Sequence, residues 1–166
     1  MDRRSDTPLA YLITIRSYGT WLHGDTRGSH DRHRNAYRSP RIPSSRAWER
    51  ATRAALRHPP VRLDAARREA VDTAIRETCL ARNWGLLAVN VRTNHAHAVV
   101  IAACDPIRII TALKAYATRT MRERGCWTLD RTPWAAGGSR RYLWTTASVE
   151  RAITYVVDGQ GSPLLD

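Results

Sequence analysis

Apolar residues along this chain follow two rhythms, one of period two and one of period 3.6. Residues 8–16 read Pro-Leu-Ala-Tyr-Leu-Ile-Thr-Ile-Arg. Tyr11, Ile13 and Ile15 alternate with Leu12, Thr14 and Arg16, and most positions are apolar. That pattern predicts a strand central in a sheet. Residues 84–92 predict a second strand, with Leu87, Val89 and Val91 sharing a face. A turn at Arg92-Thr93-Asn94 leads into a third strand over 95–102, so the two form a hairpin. Residues 139–144, Ser-Arg-Arg-Tyr-Leu-Trp, predict a short basic and aromatic strand.

The helical rhythm fills the gaps. Ser45 is placed to cap a helix over 46–57, which Pro59-Pro60 ends. Asp64 caps a second helix to about residue 82, with Ala66, Ala70, Val71, Ala74, Ile75 and Thr78 on its inner face. Asp105-Pro106 opens a third, stopped near residue 124 by Gly125. Its core stripe is Ile110, Leu113, Ala117 and Met121, with Tyr116 at the border and Thr120 one turn on. Ser148 is placed to cap a last helix over 149–158. Counting the first two helices as one crossover, the order is β, α, β, β, α, β with an extra C-terminal helix. This predicts an α+β fold: a ferredoxin-like split βαβ, with a central antiparallel sheet and helices on one face. No repeat or linker divides the chain, so residues 1–166 read as one domain, with a long polar loop over 17–44 and a tail over 159–166.

Charge narrows the partners. The net charge is +12, and Lys114 is the single lysine among 27 basic residues. Arginine forks match phosphate oxygens, and a small domain this basic points to nucleic acid; a basic surface inherited from an arginine-biased genome is the plainer source of part of the excess. Cys79, Cys104 and Cys126 show no paired spacing, which fits a reducing cytoplasm. No secretory signal is evident at the N-terminus, and the longest apolar run, residues 98–104, is too short to span a membrane.

The chemistry concentrates at Thr93-Asn94-His95-Ala96-His97-Ala98-Val99-Val100-Ile101. Residues two apart on a strand project to the same side. His95 and His97 are therefore spaced to share one divalent ion, or are two surface histidines with no shared ligand. His23, Asp25, His30, Asp31 and His33 in the long loop match no ligand spacing, and that loop offers Arg27, Arg32, Arg34, Arg38 and Arg41 to phosphate. Tyr142 or Trp144 beside Arg140 and Arg141 reads equally as a base-stacking surface or as an ordinary edge strand.

Taken together, Asn94-His95-Ala96-His97-Ala98-Val99-Val100 and the following helix, Leu113-Lys114-Ala115-Tyr116-Ala117-Thr118-Arg119, resemble the His-hydrophobic-His single-tyrosine transposases of insertion sequences and their REP-associated relatives. The stretches 18–28, Arg141-Tyr142-Leu143-Trp144 and Tyr155-Val156-Val157-Asp158-Gly159-Gln160-Gly161 are similar to a branch of that family. The resemblance implies Mg²⁺ or Mn²⁺ held by His95 and His97, and Tyr116 attacking single-stranded DNA to give a 5′-phosphotyrosine. It places a third ligand, usually an amide, one turn after the tyrosine, where this chain has Thr120. It also implies hairpin-containing DNA and a homodimer. Arg16, Lys114, Arg119, Arg140 and Arg141 are the expected DNA contacts, because they lie at strand ends or beside the proposed site. Thr120, a weak ligand, leaves open a domesticated protein that binds structured single strands with weak or no cleavage. A zinc site of His95, His97 and Cys104 is a third reading, with no Glu or Asp base placed for it.

Overall fold

The computed structural model describes residues 7–22 and 43–161. The loop residues singled out above, His23 to Arg41, lie outside them, as does most of the tail. The elements are β1 (Ala10–Arg16), α1 (Arg46–Ala54), α2 (Ala65–Ala81), β2 (Gly85–Val91), β3 (His95–Ile101), α3 (Pro106–Glu123), β4 (Ser139–Leu143) and α4 (Thr146–Val157). The strands form one antiparallel sheet in the order β2-β3-β1-β4. This is the split βαβ order: each crossover helix skips one strand and returns to the same face.

Alternation along β1 and β3 sorts the two faces. Tyr11, Ile13, Ile15, Ala96, Ala98 and Val100 pack in one core with Ala70, Val71, Ala74 and Ile75 of α2 and Ile109, Leu113, Ala117 and Met121 of α3. Alanine at 96 and 98 leaves room for two helices to lie close on the sheet. Val99, Ala10, Ala88 and Leu143 face the other way and pack with Ala152 and Val156 of α4. The extra C-terminal helix thus covers the face that the crossover helices leave bare.

Three local expectations change. A register shift between Leu86 and Ala88 inserts one residue against β3, which reverses the alternation of β2 at that point. Leu86, Val89 and Val91 therefore share the larger core, while Leu87 is exposed. The last helix starts earlier than Ser148: Thr145 is its cap, and Ser148 closes a capping box with it. The first helix ends a turn early, at Ala54, and buries no residue, so packing gives it no reason to extend. Among the described residues, no helix is long and apolar enough to cross a membrane.

Candidate active site

The histidine pair lies on the α4 face, at the end of β3 where the chain leaves the hairpin turn. Register pairs His97 with Thr14 of β1 and Asn90 of β2, and His95 with Arg16. The two imidazoles meet edge to face with centroids 4.6 Å apart. Each is held by its Nδ1. Thr14 Oγ1 lies 2.8 Å from His97 Nδ1, and Asn94 Oδ1 lies 2.6 Å from His95 Nδ1. His97 is only 7% exposed. Burial, then the charges of His95 and Arg16, push its pKa from 6.5 down to about 3, against a hydrogen bond to Gln160, as acceptor, that raises it. The ring is a neutral imidazole at physiological pH, the form that binds metal.

The end of α4 completes the pocket. The Tyr155 ring stands edge-on to His97, centroids 5.3 Å apart. Asn90 Nδ2 donates to Val156 O at 2.9 Å, which pins this last turn to β2. The chain then doubles back at Gly159, where a Cβ would lie 2.7 Å from Tyr155 O; a larger residue would push the turn away. The turn brings Gln160 to the histidines. Its Nε2 donates to Tyr155 O at 3.1 Å, which aims its Oε1 at His95 Nε2, 3.2 Å away.

This donor set fits a divalent cation. An imidazole nitrogen and an amide oxygen 3.2 Å apart, with the second imidazole beside them, are neutral donors of the kind that ligate divalent ions. His95, His97 and Gln160 would hold the ion through two imidazoles and an amide oxygen. Among the described residues no cluster of three His, Cys, Asp or Glu offers an alternative. Thr14→Val, which keeps the side-chain shape and removes the hydroxyl, should weaken Mn²⁺ binding about 10- to 100-fold. Titration of Mn²⁺ followed by electron paramagnetic resonance measures it; an unchanged affinity would show that Thr14 does not orient His97.

The structure does not bring Tyr116 or Thr120 to the pair. Both lie on α3, which packs on the opposite face of the sheet through Leu113 and Ala117. Tyr116 is 37% exposed, between the guanidiniums of Arg119 (5.1 Å from its ring centre) and Arg82 (5.7 Å). Within one chain, the tyrosine against His97 is Tyr155, and the amide beyond it is Gln160 rather than the hydroxyl of Thr120. The signal was in the stretch 155–161, where a tyrosine is followed by an amide five residues on. Cys104 follows the far end of β3 and packs against the α2/α3 core, so it does not join the histidines either.

The expected DNA contacts separate in the same way. Arg16 stands beside the pair, with its guanidinium 4.1 Å over the Trp21 ring. Lys114 Nζ donates to Ala135 O and Gly137 O, fastening the loop before β4 to α3, and burial lowers its pKa. Arg119 pairs with Glu123 at 3.2 Å. Arg140 and Arg141 alternate on the edge strand.

Comparison with protein families matches residues 57–156 to the family described as "Transposase IS200 like". Comparison with curated proteins finds no match. Among solved structures, a REP-associated tyrosine transposase bound to a REP hairpin is similar at TM-score 0.51 and 12% identity, over 94% of this chain and 68% of that one. A candidate transposase from Deinococcus radiodurans is similar at TM-score 0.51 and 12% identity, over 98% of each chain.

Proposed function

The chain belongs to the IS200-like transposase family, and from that premise we propose that it cleaves and rejoins single-stranded DNA through Tyr155. The carrying observation is that His95, His97, Tyr155 and Gln160 meet in one pocket of one chain. His95, His97 and Gln160 are the residues that would hold Mg²⁺ or Mn²⁺, and such an ion would supply Lewis-acid chemistry toward a phosphate ester. Arg16 sets a fixed positive charge next to that phosphate. Tyr155 is about half exposed, so solvent can take up its hydroxyl proton as the oxygen attacks. The Tyr155 oxygen bonds to phosphorus, the bond to the 3′ oxygen breaks, and that oxygen takes a proton from solvent and leaves as a 3′-hydroxyl. The 5′-phosphotyrosine keeps the energy of the ester, so attack by a 3′-hydroxyl rejoins a strand without a nucleotide cofactor. Extending the ligand of the REP-associated neighbour to this chain, the substrate carries a hairpin.

The case for a protein that binds without cutting rested on Thr120 as a poor ligand. With the Gln160 amide 3.2 Å from His95, the proposed site does not depend on Thr120. The test mixes the protein with hairpin-bearing single-stranded DNA and Mn²⁺ and looks for a covalent adduct in a denaturing gel. An adduct lost on chelation supports the reading; tight binding with no adduct on any such substrate would replace it with the binding-only protein.

A further inference from the structure

We propose that the outer edge of β4 and the groove between it and α3 form a second site, one that binds single-stranded DNA on the face of the sheet opposite the histidine pair. It rests on the reading of this chain as a DNA-acting protein, and it adds a surface that the chemistry at Tyr155 does not use.

The edge carries an ordered aromatic platform. Register places Arg140 opposite Ile13 and Tyr142 opposite Tyr11, so both point to the α2/α3 face, and Trp144 follows at the same period of two. Yet Tyr142 is 43% and Trp144 54% exposed. Their rings are nearly parallel, 10° apart in plane with centroids at 6.1 Å. Tyr11 meets Tyr142 edge to face at 5.3 Å, and the Tyr11 hydroxyl donates to Cys104 O at 3.1 Å. Tyr142 is therefore braced by Tyr11, with Trp144 lying parallel to it.

A groove of about 640 Å³ continues from it, lined by Ile107, Thr111, Lys114, Thr118, Arg122 and Arg140 among others, and no carboxylate lines it. It is built rather than incidental. Trp134 Nε1 donates to Lys114 O at 3.1 Å and Thr118 Oγ1 at 3.0 Å, which together with the Lys114 clasp holds the loop against α3. Gly138 lets the chain pass: a Cβ there would lie 3.0 Å from Ile110 Cγ2 and 3.1 Å from Thr14 O.

Arg140 sits where platform and groove meet. A base stacked on Trp144 and Tyr142 would leave its backbone running past Arg140 into a cationic channel, the combination that tracks single strands without reading sequence. The carboxylate at this end, Asp105, is engaged by Ile107 N as the cap of α3. A second copy is the other occupant an edge strand invites. Antiparallel pairing of two β4 strands (Ser139–Leu143) about their midpoint would set Arg141 of each against Arg141 of the other, and like charges across a pair oppose it.

The test uses the full chain carrying Tyr155→Phe, so that binding is read without adduct, and follows anisotropy of a labelled oligodeoxythymidine of about 20 nucleotides. Trp144→Ser lies outside the strand and leaves the sheet hydrogen bonds intact. It should raise the dissociation constant about tenfold, the worth of one stacked base. Tyr142→Leu with Trp144→Ser should raise it further, with cooperative melting retained. Trp144→Ser binding as tightly as its parent overturns the proposal, as does a dimer in sedimentation that Trp144→Ser dissociates. If those results appear while the unsubstituted protein still forms its adduct, only this second site is wrong. If the unsubstituted protein neither binds DNA nor forms the adduct, the underlying reading has failed with it.

Discussion

Tyr155→Phe should abolish the covalent adduct, by roughly a thousandfold or more, while Tyr116→Phe should leave it within about twofold of the parent. The contrast follows from position. The Tyr155 ring is against His97, and phenylalanine keeps that ring contact while removing the one atom that can bond to phosphorus. Tyr116 touches Arg82 and Arg119 through its ring face, and phenylalanine keeps the cation–π attraction there. Denaturing gels of labelled DNA after incubation with Mn²⁺ read both variants at once. An adduct that survives Tyr155→Phe and disappears with Tyr116→Phe would transfer the nucleophile to α3, which in this fold requires a second chain.

His97→Ala should lower adduct formation by at least about a hundredfold and remove most Mn²⁺ affinity. The side chain is buried and hydrogen-bonded to Thr14, so its loss removes an imidazole from the proposed metal site and leaves that hydroxyl without its partner. Mixing His97→Ala with Tyr155→Phe, each inactive alone, tests whether the pocket is complete in one chain. No restored adduct is expected, because both groups come from the same chain. Restoration would mean that a homodimer exchanges α4 between copies. A pH measurement reports on the same residue. Unfolded, His97 titrates near 6.5; folded, it stays neutral down to about 3. As pH falls below about 6.5, the metal-free unfolded chain takes up a proton that the folded chain refuses. Stability should therefore fall across pH 6.5 to 3, and less steeply in His97→Ala, as measured by denaturant unfolding.

Much of this site was legible in residues. The alternation His95/His97 against Ala96/Ala98 already fixes that the histidines and the core alanines face opposite ways. The order of elements fixes that both crossover helices lie on the alanine side. Those two facts together exclude any residue of α3, Tyr116 and Thr120 included, from the histidine pocket of its own chain. Proximity in sequence to the histidine strand pointed to Tyr116, but a crossover helix is separated from the far face of its strand by the sheet itself.

Other features needed the fold. The bulge at Leu86/Ala88 reversed the faces of β2, because an unpaired residue leaves no trace in an apolar run that reads Leu-Leu-Ala-Val. Ser148 and Thr145 are both good caps, and only the local backbone chose Thr145. The sequence by itself determined the split βαβ sheet, the shared direction of His95 and His97, and a charge suited to phosphate, since these follow from period-two alternation, element order and composition. Only the tertiary structure decided which tyrosine and which amide lie beside the pair. Tyr155 and Gln160 lie some sixty residues from the histidines in sequence. They reach them because α4 packs on the face left bare and Gly159 lets the chain turn back, and long-range packing of that kind has no local periodicity to announce it.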